Sequence, residues 1–187
     1  MKMLPPATTL WWVPAEAVTD RSVLLAPETY NGGIGGTPAA IAVDLSCAVV
    51  TGYTLNPTDS DTDSTASICD EGNVETPIRD NYEASVTFFR EAPDGDVIGD
   101  TSAYDKAFRL FKDGRRLGEI QGYWVERLGW KRNVAVTDGH VLSIFLVVSD
   151  NPRNEVGDAA QPIQFTVPFL QQGWMRQNLE VGSDTID

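Results

Sequence analysis

Residues 82–88 read YEASVTF, an alternation in which every second side chain is apolar. Alternation of this kind places the apolar side chains on one face of a β-strand and the polar ones on the other. Residues 163–169, IQFTVPF, repeat the pattern. Residues 141–148 are apolar at nearly every position, which is typical of a strand covered on both faces. The sequence therefore predicts a mainly β protein, with further strands near residues 9–13, 43–55, 66–70 and 120–128.

Residues 102–116 follow a different period. Apolar side chains recur there at helical spacing, at Tyr104, Ala107, Phe108 and Phe111. Ser102 can cap the amino end, and Gly114 suits the left-handed conformation that ends a helix. These signals predict one amphipathic helix packed on a β-sandwich or open barrel.

The whole chain, residues 1–187, is predicted to be one domain, with three irregular stretches. Residues 26–40 are rich in glycine and proline and are predicted to form a flexible loop. Residues 56–65 are polar and acidic, which favours a hairpin loop between two strands. Residues 175–187 are predicted to be a loosely held carboxyl-terminal tail.

Charge is unevenly distributed in this acidic chain, whose net charge is −13. Residues 55–100 carry twelve acidic and two basic side chains, whereas residues 101–135 carry four acidic and eight basic ones. Overall, such a chain should repel nucleic-acid phosphates and anionic lipids. The acidic and basic regions could support head-to-tail association of identical copies. The simpler interpretation is a solvated surface with uneven loops.

The residues that catalysis or metal binding would need are scarce. His140 is the only histidine, and no nucleophile elbow or histidine pair is present. Residues 59–63, DSDTD, resemble the start of a calcium loop, but Ser64 replaces the glycine at the sixth position and Asp70 the glutamate at the twelfth. Residues 32–36, GGIGG, lack the spacing of a phosphate-binding loop. We therefore expect no catalytic residues, no metal, no cofactor and no enzymatic activity.

Two cysteines, Cys47 and Cys69, are too few for a disulfide framework. We expect both to be reduced, although one bridge between them stays possible. Residues 141–149 form an apolar stretch of nine residues, and a membrane-spanning helix needs about 20. The sequence thus predicts synthesis in the cytoplasm and no membrane partner.

Five tryptophans admit two interpretations. Trp11 and Trp12 are adjacent, so on a strand they would point to opposite faces. We expect one of them in the core and the other against another subunit. The alternative is a carbohydrate- or receptor-binding β-sandwich module in which tryptophans stack on sugars.

Several segments, in order, resemble the major tail proteins of long-tailed bacteriophages (siphophages), particularly those of actinobacterial hosts. The resemblance extends over about residues 8–169, and no single motif is diagnostic. Its most specific segment is residues 122–129, GYWVERLG, which is similar to the glycine–tyrosine–hydrophobic–valine–glutamate–arginine segment that follows the helix in that family. The other segments are 9–15 (TLWWVPA), 44–47 (DLSC), 52–57 (GYTLNP), 68–70 (ICD) and 85–88 (SVTF).

This resemblance implies a β-sandwich with one flanking helix, subunits in six-fold rings, and rings stacked into the tail tube of the virion. One sheet of each subunit would join its neighbours in a continuous β-barrel around the lumen. DNA would pass through without specific binding, a tape measure protein would occupy the lumen, and tail terminator and baseplate proteins would bind the ends. The glycine-rich stretch at residues 31–36 departs from the family pattern.

Two groups of residues are candidates for assembly. Polar strand faces suit a water-filled channel, so the lumen candidates are Glu83, Ser85, Thr87, Glu119, Gln121 and Glu126. The same faces could instead point outwards to solvent. The candidates for contacts between subunits or rings are Asp59, Asp61, Asp63, Trp11 and Trp12.

Overall fold

A computed structural model describes residues 8–31, 40–50, 52–65, 74–89, 103–113, 120–155 and 163–186. Within these residues the chain is mainly β with one short α-helix, as predicted. The strands are β1 Thr8–Pro14, β2 Val43–Asp44, β3 Thr54–Thr65, β4 Val74–Phe89, β5 Gln121–Leu128, β6 Val141–Ser149, β7 Arg153–Glu155 and β8 Gln164–Glu180. The helix is α1, Ala103–Ala107, and a π-helix, Phe108–Asp113, continues it. Three 3-10 helices follow β1, at Ala15–Ala17, Arg21–Leu25 and Pro27–Thr29.

The described strands form one antiparallel sheet in the order β2-β1-β5-β6-β8-β4-β3, with β7 paired to β8. The two ends of this order, β2 and β3, are joined in sequence by residues 45–53. That connection bonds to the strand next to each end of the sheet: Leu45 N donates to Leu10 O of β1 at 3.1 Å, and Val50 N donates to Thr87 O of β4 at 2.8 Å. The sheet therefore curls round and its edges are bridged, which gives the sandwich-like open barrel predicted from the sequence.

Inside the curl lies an aromatic core. Trp12 of β1 and Trp124 of β5 are register partners, and their ring centroids are 5.2 Å apart. Phe111 of the π-helix packs edge-on against Trp12 at 4.9 Å, and Phe88 of β4 stacks on Phe111 at 5.3 Å. All four side chains are fully buried. Burial of each large side chain contributes about 1.5–3 kcal/mol, so packing in this cluster stabilises the helical segment against the sheet.

A second apolar cluster covers the outer face of β1, β5 and β6. Trp11, Val125 and Ile144 point to that face, where Leu24 of a 3-10 helix and Val181 after β8 pack on them. β6 is thus buried on both faces, which confirms the interpretation of its unbroken apolar run. Side chains on both faces of these three strands are buried in one of the two clusters. Alternation of polar and apolar residues therefore cannot show which face of these strands points to the interior of the barrel.

The helical segment confirms one prediction and corrects another. Ala107 and Phe111 are buried, and Tyr104 and Phe108 pack partly buried beside them, as the apolar spacing indicated. The helix is not regular, however, because α1 gives way to π-helical turns at Phe108. The predicted cap Ser102 and stop Gly114 lie outside the described residues.

The acidic stretch 56–65 is not a hairpin loop. It belongs to β3, which pairs with β4 from Thr54↔Ser85 to Thr65↔Val74, with irregular register around Asp61. Cross-strand hydrogen bonds overrode the turn preference of its polar residues. An extended strand also lacks the sharp turn that a calcium loop requires at its sixth position. The predicted strand at residues 66–70, with Cys69, lies outside the described residues.

Parts of two other stretches that were predicted to be flexible or loosely held make defined contacts with the rest of the chain. Residues 175–180 continue β8 along β6, and beyond them Val181 and Ile186 are buried. Residues 175–180 are mostly polar and show no apolar alternation, so their sequence did not predict this part of the strand. At the start of the predicted loop 26–40, Asn31 exchanges two hydrogen bonds with the backbone of Val136, at 2.5 and 2.8 Å. Residues 32–39, with the glycine-rich run, lie outside the described residues.

Replacing Gly122 with alanine should destabilise the fold. A Cβ there would lie 2.4 Å from Trp12 Cζ2 and 2.6 Å from the Val13 carbonyl oxygen. We expect Gly122→Ala to lower the free energy of unfolding by about 1–3 kcal/mol, because neither the ring nor the backbone can move without disturbing the core. Urea unfolding measures this. Gln121→Ala, at the exposed neighbouring position, should stay within about 0.5 kcal/mol of the parent; equal losses would contradict the steric explanation.

Candidate assembly surfaces

The outer half of the β3–β4 hairpin leaves the body of the sheet. β8 pairs with β4 only from Ala84 to Phe89. Within the described residues, residues 56–65 and 74–83 pair only with each other. We call these residues the arm. Both long edges of the arm therefore have backbone groups without a strand partner in this part of the chain.

The arm is acidic, with six acidic side chains and one basic one, a net charge of −5. Asp59 and Asp61 are exposed on β3. Asn81 of β4 donates to Asp61 Oδ1 at 2.9 Å and to the Asp59 carbonyl at 3.2 Å. Gln171 of β8 donates in turn to Asn81 Oδ1 at 3.1 Å, which ties the base of the arm to the body. Asp63 lies further out on the same strand.

Three of the six lumen candidates share one outer face. Glu83 is exposed and Ser85 and Thr87 are partly exposed, on the side of β4 that faces away from the aromatic core. Thr87 Oγ1 lies 2.7 Å from Thr166 Oγ1 of β8, so this polar face continues across the neighbouring strand. Gln121 is exposed on the outer face of β5, with β6 and β8 between it and β4. Glu119 lies outside the described residues.

Glu126 faces the opposite way from these residues. Its side chain points to the inner face of β5, where the Tyr53 hydroxyl donates a hydrogen bond to Oε1. Burial raises the pKa of the Glu126 carboxyl, an effect that the Tyr53 hydrogen bond partly opposes. Burial also raises the pKa of Tyr53. Grouping Glu126 with Gln121 was therefore wrong, because their positions differ by five, an odd number, and a strand reverses sides at each step.

Beside Tyr53 a cleft of about 290 Å³ opens between the start of β1 and the segment that closes the sheet. It is lined by Thr8, Leu10, Ser46, Val49, Val50, Gly52 and Tyr53. The Ser46 hydroxyl is already engaged with Asp44 Oδ1, at 2.7 Å. The Tyr53–Glu126 bond thus spans from the closing segment to β5 and holds the mouth of the barrel.

The two adjacent tryptophans do not divide between core and surface. Trp12 is completely buried in the aromatic core, and Trp11 is 5% exposed in the outer cluster, where its ring lies 4.8 Å from that of Tyr30. Both were predicted as inter-subunit candidates, and Trp11 and Trp12 are corrected here to core residues. The error arose because both faces of β1 are covered by this chain itself.

A buried arginine escaped the sequence analysis. Arg127 alternates with Tyr123 and Val125 on the outer face of β5 and is completely buried. Its guanidinium donates to the carbonyls of Val134 at 2.9 Å and Lys131 at 3.1 Å, and to Thr9 Oγ1 at 3.2 Å. It also lies 5.0 Å from the centre of the Trp11 ring. One sequence signal could have identified it: Arg127 occupies a position at which the alternation of β5 predicts a buried apolar side chain.

Next to this arginine the surface is basic and apolar. Arg132 bonds to Asp44 at 2.5 Å and to the Cys47 sulfur at 3.0 Å; Cys47 is an exposed free cysteine. Leu128, Trp130, Val134 and Val141 are each 38–53% exposed at this end of the sheet. Exposed large apolar side chains beside a basic residue are a suitable surface for contact with another protein.

Within the described residues, no three His, Cys, Asp or Glu side chains are grouped so that they could hold a metal ion. Over the same residues, no helix is long and apolar enough to cross a membrane.

Comparison with known proteins gives two findings. The model of a family described as phage tail tube protein matches residues 7–183. A chain of the cryo-EM structure of the anti-feeding prophage baseplate, six-fold symmetrised, is similar in fold, with a TM-score of 0.51 and 12% sequence identity over 97% of this chain and 98% of that one. No curated protein matches the sequence significantly.

Arg127→Met should destabilise the chain strongly, because two carbonyls and the Thr9 hydroxyl would lose a buried donor. We expect the free energy of unfolding to fall by about 2–5 kcal/mol in urea titrations. Arg132→Met removes a guanidinium whose side chain is 51% exposed, so it should cost at most about 1 kcal/mol. Similar losses for the two variants would show that burial of Arg127 is not what matters.

Proposed function

The chain belongs to the phage tail tube protein family, and we propose that copies of it form six-membered rings that stack into the tube through which DNA leaves the virion. The chain is thus a structural tail protein. Six-fold symmetry is supported by the six-fold symmetrised baseplate in which the similar chain occurs. DNA passage is the purpose that a hollow tube in a phage tail would serve.

The observation that carries this proposal is the self-paired arm. A two-stranded hairpin is marginally stable alone in water, and unpaired strand edges readily recruit other chains. In a ring, the same edge of every copy can meet the complementary edge of the next, and the sheet closes without a free edge. The arm is therefore well suited to complete itself on a neighbouring subunit or ring, and Asp59, Asp61 and Asp63 would lie at that contact.

Charge complementarity supports the stacking of rings. The arm carries a net charge of −5, while the exposed end after β5 carries Lys131 and Arg132. Opposite charges on different parts of one subunit favour a head-to-tail arrangement and disfavour contact between two like surfaces. A structure of this kind continues by repetition, as a tube must.

For the lumen we propose the polar face of β4, with Glu83, Ser85 and Thr87. Carboxylates and hydroxyls keep such a wall hydrated, and the acidic side chains repel DNA phosphates, so that DNA slides without binding. Gln121 lies on the outer surface of the same sheet and can extend this wall. Glu126 is not proposed for it, because Tyr53 holds its carboxyl in the interior.

The partners follow from the same assembly. We propose that the chain binds chiefly to itself, encloses a tape measure protein during assembly, and meets terminator and baseplate proteins at the two ends of the tube. The virion tail is accordingly its proposed location.

The competing interpretation as a carbohydrate-binding module has lost its motivation. Stacking on sugars needs exposed rings, but Trp11, Trp12, Trp124 and Trp174 are all at most 8% exposed. Trp130 is 39% exposed, and one face of its ring is occupied by His140, at a centroid distance of 4.2 Å. No row of aromatic rings remains for a glycan.

Assembly can be tested by electron microscopy of concentrated protein, with charge on the arm as the variable. The parent chain should form rings or tubes. Replacing Asp59, Asp61 and Asp63 with asparagine should hamper their formation and leave the monomer folded by circular dichroism, because the arm loses its attraction to a basic surface. Glu16→Gln, Glu28→Gln and Glu180→Gln together change the net charge equally at exposed positions elsewhere, and should assemble normally. Unaltered tubes from the asparagine variant would refute the role of the arm, and monodisperse monomers of the parent would refute the tube.

The lumen assignment makes a separate prediction. Ser85→Lys, on the same face of β4 but outside the arm, should leave tubes intact but slow the release of DNA from virions that carry it, because each subunit adds a cation that attracts phosphate. Raised salt should restore the rate by screening that attraction. Glu28→Lys, at an exposed position on a 3-10 helix away from β4, serves as the control. Normal release from Ser85→Lys virions would exclude this face from the lumen.

A further inference from the structure

Beneath the loop that joins β5 to β6, Arg127 and His140 lie in direct contact. We call residues 129–140 the β5–β6 loop. Arg127 holds this loop from below through the carbonyls of Lys131 and Val134. His140, which ends the loop, is 4% exposed, and its ring stacks on Trp130. The first half of the loop is therefore held by hydrogen bonds to the buried Arg127 guanidinium and by packing on the His140 ring, and His140 itself forms the end of the loop.

The contacts of the imidazole define its protonation state. Arg127 Nη1 lies 3.3 Å from His140 Nδ1, and the Thr137 backbone N–H points to the same nitrogen at 3.4 Å. Both groups can only donate, because a guanidinium and an amide N–H have no lone pair to offer. Nδ1 must then accept, and the ring proton resides on Nε2, which faces Thr137 Oγ1 at 3.4 Å. The site fits a neutral histidine.

We propose that Arg127 and His140 form an acid-sensitive latch on the β5–β6 loop, closed while His140 is neutral and opened when His140 takes up a proton. Protonation of Nδ1 would turn an acceptor into a donor that faces two other donors. It would also place an imidazolium beside a guanidinium that is almost always charged. Both effects are relieved when the loop moves away and water reaches the ring.

The surrounding charges do not offset this repulsion directly. Arg127 approaches from β5, Asp138 belongs to the loop itself, and Glu180 and Asp184 belong to the segment that ends β8, which bonds to the loop where Val181 N donates to His140 O. Asp44 acts on Arg127 from β2. None of these carboxylates is hydrogen-bonded to the imidazole among the described contacts, whereas the Arg127 guanidinium contacts it directly.

The pH range follows from the direction of the shift. Burial, together with the charge of Arg127, lowers the pKa of His140 from its ordinary value of 6.5. The unfolded or opened state therefore binds the proton at a higher pH than the closed state does. Stability from the latch is fully present above pH 6.5 and is lost as the pH falls through the lowered pKa.

The latch controls a surface. Trp130, Lys131, Arg132 and Val134 are exposed on the β5–β6 loop, so opening would displace a basic, partly apolar area as a unit. The inference goes beyond the proposed function, because every contact that carries it lies within a single chain. It can therefore be tested on the monomer whether or not tubes form.

The chain has a single histidine, so one imidazole signal in an NMR titration reports on the latch without assignment. We expect its pKa below 6.5. Hydrogen exchange should show the opening itself: the Val134, Val136, Gly139 and His140 amides are hydrogen-bonded in the closed loop. After correction for intrinsic exchange, their opening equilibrium should rise by up to about ten-fold per pH unit below pH 6.5, while amides in β6 change little.

His140→Asn should abolish this pH dependence, because the amide oxygen can accept at the position of Nδ1 but does not titrate. Glu126→Gln removes a nearby carboxyl on β5 whose pKa is raised, and this variant should retain the pH dependence. A His140 pKa at or above 6.5, or loop exchange that follows pH equally in His140→Asn, would overturn the latch. Should His140→Asn not fold, the titration and the exchange of the parent chain still decide.

Discussion

Trp12 and Trp124 are register partners on neighbouring strands, and the Trp12 ring has room there because residue 122 has no side chain. The pair contacts Phe111 of the π-helix, Phe88 of β4 and Phe169 of β8. One cluster thus joins elements that are far apart in sequence. A slip of one residue in the pairing of β1 with β5 would turn Trp12 to the outer face and remove it from all these contacts. The closed sheet, the position of the helix and the direction in which the arm leaves the body all depend on this register.

Strands could be predicted from the sequence where one face is buried and the other is exposed to solvent. Alternation located β4 and the first part of β8, and an unbroken apolar run located β6. The prediction failed where that contrast disappears. The arm at residues 56–65 is polar on β3 and was interpreted as a loop, and the last part of β8 is polar for the same reason. For Trp11 the error was the reverse: alternation with Trp12 predicted an outward-facing side chain, but both faces of β1 are buried. Backbone pairing, which decides the first two cases, leaves no periodic trace in side-chain polarity.

The candidate surfaces were less predictable than the fold, for a related reason. Alternation correctly grouped Glu83, Ser85 and Thr87, since they share one strand. Grouping Gln121 with Glu126 went against the alternation, because their positions on β5 differ by five and a strand reverses sides at each step. Arg127 was missed because a charged residue at an apolar phase resembles an interruption of the pattern. A surface completed by other copies of the chain also lacks a signal of its own, since its partners are residues of the same sequence.

The acidic arm resolves a conflict between assembly and solubility. Unpaired edges that await a neighbour are also edges on which chains can aggregate. Carboxylates along β3 make two arms repel one another, whereas a basic surface elsewhere on the chain is still attracted. A buried arginine supports the basic surface near the end of β5: Arg127 donates to two carbonyls of the β5–β6 loop that an apolar residue would leave without a donor. If the acidic arm meets this surface as proposed, loss of the Arg127 contacts would weaken assembly through the position of the loop, without any change in the charge of the loop itself.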